Sequence, residues 1–88
     1  MPNADVKILY FSWIRERIGL SDETIALPAS VETVGQFLLW QRGRNDQFEA
    51  AFEFPDIIRV AVDQEHADHG DAIGSPREIA VFPPMTGG

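Results

Sequence analysis

Glu78-Ile79-Ala80-Val81-Phe82-Pro83-Pro84-Met85-Thr86-Gly87-Gly88 closes the sequence and divides into two parts that obey different rules. In Glu78 to Phe82, Ile79 and Val81 share one parity while Ala80 and Phe82 share the other, the pattern of a strand with one buried face. Pro83 and Pro84 cannot donate to a sheet ladder, so pairing must end at Phe82. This predicts a folded domain over 1–82 and an extended, flexible C-terminal tail over 83–88. In polyproline II geometry the tail would project up to about 18 Å. Gly87 and Gly88 carry no side chain, so they fit a channel too narrow for any other dipeptide.

Working back through the chain, Val6 to Phe11 is a β-branched and aromatic run that predicts an opening strand, with parities Val6, Ile8, Tyr10 and Lys7, Leu9, Phe11. Trp13 to Gly19 predicts a turn or two of helix that stops at the glycine. Glu23 to Leu27 predicts a second strand, ended by Pro28. Ser30 is the expected N-cap of the main helix, with Glu32 in its first turn. Val31, Val34 and Leu38 form its buried stripe, Phe37 lies at the edge of that stripe, and Gly43 is its stop. Trp40 falls opposite the stripe, where Phe48 and Phe52 of a short helical stretch ending at Pro55 are expected to cover it. Ile57 to Val62 predicts a third strand, Asp63-Gln64 a turn, and Glu65 to Ala67 a short hairpin arm; Gly70-Asp71 and Gly74-Ser75-Pro76 are turn signals. Strand, strand, helix, then several strands make an α+β domain whose single sheet is covered on one face by one main helix.

Eighty-eight residues make one domain, too small for separate substrate and cofactor domains. An apolar fraction of 44% against 24% charged is the balance of a folded chain. With no cysteine there are no disulfides, no thiolate catalysis and no common zinc framework. A formal charge of −7 opposes binding to nucleic acid or an anionic membrane and favours a partner with a basic docking face. The N-terminus has no basic start followed by an apolar run, and the expected compartment is the cytoplasm.

Ile79 to Gly88 resembles the ending of the small subunit of molybdopterin synthase. Val6-Lys7-Ile8-Leu9-Tyr10-Phe11, followed by Arg15-Glu16 and Gly19, is similar to that family's first strand and turn, and Val60-Ala61-Val62-Asp63-Gln64 resembles its Val-Asn-Gln segment. Asp63 stands where the family usually has asparagine, and Gly74-Ser75-Pro76-Arg77-Glu78 replaces its common Asp-Gly-Asp-Glu turn. The resemblance implies a β-grasp, ubiquitin-like fold, with the first and last strands side by side in the middle of a mixed sheet. It also implies a sulfur carrier of molybdenum cofactor biosynthesis that works within a heterotetrameric synthase and is not catalytic alone.

The implied chemistry centres on Gly88. A carboxylate is a poor electrophile, so a ubiquitin-activating-type adenylyltransferase would use ATP to join it to AMP, and a sulfur donor protein would displace the AMP to leave a thiocarboxylate. Gly87, Thr86, Met85, Pro84 and Pro83 would enter the large subunit, where the sulfur passes to precursor Z (cyclic pyranopterin monophosphate). No permanently bound cofactor and no metal is expected. Strand parity adds a docking surface, unless its aromatics pack under the short helices: if Ile79 and Val81 face the helix, Ala80 and Phe82 face away from it, and if Val6 and Ile8 also face it, Leu9 and Phe11 face away as well. Phe11 and Phe82 then make an apolar patch beside the tail, with Arg15 and His66 at its rim.

Glu65, His66, Asp68, His69 and Asp71 bring metal-type ligands together, but their spacing matches no standard zinc or calcium loop. The same tail chemistry serves sulfur carriers of thiamine or tungsten-cofactor synthesis and ubiquitin-like modifiers; Phe82-Pro83-Pro84 favours the molybdopterin family over the thiamine carriers. A non-carrier β-grasp interaction module with an inert tail is the alternative from a different class.

Overall fold

A computed structural model describes residues 5–84. The element order is β1 (Asp5–Tyr10), α1 (Ser12–Ile18), β2 (Asp22–Ala26), α2 (Val34–Arg42), α3 (Asp46–Ala51), a 3₁₀ turn over Pro55–Ile57, β3 (Arg59–Val62), β4 (Glu65–Ala67) and β5 (Glu78–Phe82). The strands form one sheet in the order β2-β1-β5-β3-β4. The central pair β1 and β5 is parallel, with Ile8 opposite Ile79. Its other three pairings are antiparallel. First and last strands meeting in parallel at the centre of a mixed sheet is the β-grasp arrangement, as the resemblance implied.

Parity decides which face is covered. Val6, Ile8, Tyr10, Val60, Ile79 and Val81 are buried against Val34, Phe37 and Leu38 of α2, Ile14 and Ile18 of α1, and Phe48 and Phe52 near α3. Phe37 is fully buried within the core rather than at the edge of the stripe. The opposite face carries no helix among the described residues. No helix among them is long and apolar enough to cross a membrane.

The main helix begins later than Ser30 predicts. Its N-cap is Thr33, whose hydroxyl accepts from the Gln36 backbone while the Gln36 side chain accepts from the Thr33 backbone, a closed capping box. Val31 is buried but precedes the helix, its N–H donating to the Pro28 carbonyl at 3.0 Å. Thr33→Ala opens the box and is expected to lower stability by about 1 kcal/mol, read in a denaturant titration.

Strand boundaries also move: β2 runs Asp22–Ala26 rather than Glu23 to Leu27. Phe11 leaves β1 to precede α1, and Ser12 turns the chain there at φ 53°. Ile57 belongs to the turn that Pro55 initiates, so β3 starts at Arg59. The Asp63-Gln64 turn has φ of 49° and 71°, the doubly left-handed geometry of a tight hairpin. The Asp63 carboxylate accepts from the Arg77 and Glu78 backbones at 2.9 and 3.0 Å, tying that turn to the start of β5. An asparagine carbonyl could accept the same two bonds, so aspartate in its place preserves the geometry.

Candidate docking face and tail exit

The bare face of the sheet is built from residues of the second parity. Leu9 of β1 lies opposite Ala80 of β5. Ala80 lies opposite Ala61 of β3, and Ala61 opposite His66 of β4. Small side chains at two adjacent positions make this row flat. At the next level Phe82 lies opposite Arg59, and Phe11 donates its N–H to the Val81 carbonyl at 3.2 Å, which sets it beside Phe82. Lys7 and Glu78 face each other at the far end. The result is an apolar centre of Leu9, Ala61, Ala80, Phe82 and Phe11 with charged residues around it.

Phe11 is 43% exposed and Phe82 is half-buried, so neither belongs to the core beneath the short helices. His66 is exposed at the outer edge of the face, 3.6 Å from the Asp68 carboxylate. Arg15 is exposed on α1 and is not part of the sheet surface. Pro83 and Pro84 are half-buried where β5 ends. Met85, Thr86, Gly87 and Gly88 lie outside the described residues. Arg59 and Ala61 escaped the sequence reading, although the parity of Arg59-Val60-Ala61-Val62 carries the signal. Among the described residues no group of three or more acidic, histidine or cysteine side chains is placed to hold a metal. His69 is engaged elsewhere, with its Nε2 2.8 Å from the Ile58 carbonyl.

A polar ring locks the helical layer to this sheet. The Gln41 amide donates to the Tyr10 hydroxyl at 2.7 Å, and the hydroxyl donates to Glu23 at 2.5 Å. Arg44 meets Glu23 with both terminal nitrogens at 2.6 and 3.0 Å and returns to the Gln41 carbonyl at 2.8 Å. Its guanidinium lies over the rings of Trp40 and Phe48 at 5.1 and 4.1 Å. Trp40 packs against the core cluster that includes Phe48 and Phe52, and Arg44 adds to its cover. Burial pushes the Tyr10 phenol up, reinforced by Glu23. Partial burial of Glu23 acts in the raising direction, but the hydrogen bonds from Arg44 and Tyr10 outweigh it and hold the carboxyl below its ordinary range. A carboxyl lowered in the folded state stabilises above its unfolded pKa, and that contribution is lost as pH falls through the folded value. Glu23→Gln should therefore flatten the fall of the melting temperature below about pH 4.5 relative to wild type, read in melts from pH 7 to 3.

The parallel pairing of first and last strands at the centre of a mixed sheet, with helices over one face, defines a ubiquitin-like β-grasp protein. A model described as the ThiS family matches residues 8–88. The chain belongs to the ThiS family. The molybdopterin synthase sulfur carrier subunit of Caenorhabditis briggsae is 33% identical over 87 residues, covering 94% of this chain and 96% of that protein. Its counterpart by name in Homo sapiens is 31% identical over 91 residues, covering 100% and 99%. Among solved structures, SAMP1 from Haloferax volcanii superposes with a TM-score of 0.68 at 26% identity, covering 97% of this chain and 100% of that one.

Proposed function

We propose that this chain is the sulfur carrier subunit of a cytoplasmic molybdopterin synthase. The observation that carries the reading is similarity to such subunits along nearly the whole chain, together with a family match that runs through Gly88. The bare sheet face beside the tail exit supports it from geometry.

In this reading an adenylyltransferase joins the Gly88 carboxylate to AMP, releasing pyrophosphate from ATP. A sulfur donor then displaces AMP, and the acyl group keeps the sulfur as a thiocarboxylate, more nucleophilic than the carboxylate it replaces. The large subunit takes the tail into its site, where the sulfur attacks precursor Z and water then cleaves the resulting thioester, so that Gly88 leaves as a carboxylate and the sulfur stays on the pterin. This chain supplies no acid or base. Phe82, Phe11, Leu9, Ala61 and Ala80 make the docking surface, with Arg59 and His66 at its rim, and Pro83-Pro84 follows directly on β5. Two transfers form the dithiolene.

The test is intact mass after incubation with the cognate activating enzyme, ATP and a sulfur source. A gain equal to the replacement of one oxygen by sulfur, located at Gly88 by fragmentation, is the expected result. An unchanged mass with an active enzyme would refute the carrier reading.

A further inference from the structure

The tail leaves the domain beside a second exposed apolar surface that lies outside the bare sheet face. β3 runs antiparallel to β5 with Arg59 opposite Phe82, so the residues that precede Arg59 lie at the end of the sheet from which the tail departs. Those residues are Glu53-Phe54-Pro55-Asp56-Ile57-Ile58. The segment is compact: Ile57 donates to the Phe54 carbonyl at 3.2 Å and Ile58 to the Pro55 carbonyl at 3.1 Å. Ile58 is fully buried, which fixes the turn to the core, yet Phe54 is 64% exposed and Ile57 45% exposed. Phe54 is more exposed than any other large apolar side chain among the described residues, although Phe52 two positions earlier is fully buried.

Charge separates this surface from the sheet face. Asp46, Glu49, Glu53 and Asp56 are all exposed, and no lysine or arginine occurs between Arg44 and Arg59. On the sheet face, Arg59 follows this segment directly, while Lys7 and Glu78 face each other at the far end. A protein that receives the tail must approach this end of the domain, and its surface there would meet an aromatic ring flanked by the Glu53 and Asp56 carboxylates, with Arg59 lining the same depression as Asp56.

We propose that Phe54 and Ile57, flanked by Glu53 and Asp56, form a second contact beside the tail exit, gripped by an apolar depression ringed with lysine or arginine at the channel mouth of the tail-receiving large subunit. The inference rests on the carrier reading given above. An exposed phenylalanine on a rigid turn is ordered before binding, so it buries area at low entropic cost. The acidic flank selects a basic channel mouth and accelerates encounter at low salt.

The experiment titrates the cognate large subunit with wild type, Phe54→Ser, the pair Glu53→Lys and Asp56→Lys, and Phe82→Asp, and melts each variant alone. Both alterations of this surface should weaken binding about tenfold while the melts stay close to wild type. Wild-type affinity should also fall with added salt, and that dependence should flatten or reverse in the charge-reversed pair. Wild-type binding by both, with Phe82→Asp defective, would overturn this contact and leave the carrier reading standing. Unchanged binding by all variants, Phe82→Asp included, would overturn the contact and the sheet-face docking together. Should Phe54→Ser instead abolish a concentration-dependent dimer without altering binding to the large subunit, the occupant is a second copy of this chain and the proposal fails.

Discussion

Removing Gly88, or extending the chain beyond it, is expected to abolish sulfur transfer while leaving the unfolding transition in place. In the carrier reading, fold and chemistry occupy different parts of the molecule. Among the described residues the core ends at Val81, and no residue after Phe82 belongs to a strand. A truncated chain ends on Gly87, one residue too short to present its carboxylate where Gly88 would present one, and an extended chain has no free carboxylate on Gly88. Activity should fall below detection in both, because the lost group is the reacting atom's carrier and not one of several contacts. The measurements are thiocarboxylate formation by mass and a thermal melt. An extended protein that acquires sulfur without being trimmed would disprove the assignment.

Phe82→Asp should weaken assembly with the large subunit by well over tenfold while costing the isolated domain much less. Phe82 is half-buried on the bare face, opposite Arg59 and beside Phe11. An aromatic side chain at the centre of an interface contributes about 2 kcal/mol or more, and a carboxylate forced into that contact must also lose water. In the free domain the same carboxylate stays hydrated. Val81→Asp is the control, because Val81 is fully buried one residue away on the other parity. A charge there has no partner, and the expected result is loss of the folded state. Similar melts for the two variants would mean that parity does not separate docking from folding.

The parity that underlies this contrast is legible in the sequence because a strand allows only two faces. Glu78 to Phe82 is bounded by Pro83, and of its two apolar parities it is Ile79 and Val81 that the structure buries. The helix start was harder. Ser30 and Thr33 are both capping residues, but only Thr33 has glutamine three positions on, and that pairing sets the boundary. Counting Val31 into the helical stripe hid it, since Val31 is buried by the loop that precedes the helix. Ile57 read as strand because apolar runs do not reveal a one-turn 3₁₀ helix; Pro55 was the available sign. The ring of Tyr10, Glu23, Gln41 and Arg44 joins residues up to 31 positions apart, and no local pattern announces it. The docking face was legible as residues of one parity, whereas its flatness depends on Ala61 and Ala80 falling side by side, which is a matter of register.

The parallel pairing of β1 with β5 also governs how the molecule comes into being. β5 lies between two hairpins, β1 with β2 and β3 with β4, and nothing else in the sheet order joins them. Each is a two-stranded unit, marginal by itself in water. Contacts such as Ile8 with Ile79 close a loop of most of the chain before they return any energy, so folding has high contact order and is cooperative and slow for its size. A nascent chain that has not yet delivered Glu78 to Phe82 has two unpaired edges at what will become its centre. The bare face is continuous only once β5 joins the two hairpins, because Ala80 and Phe82 supply its middle row.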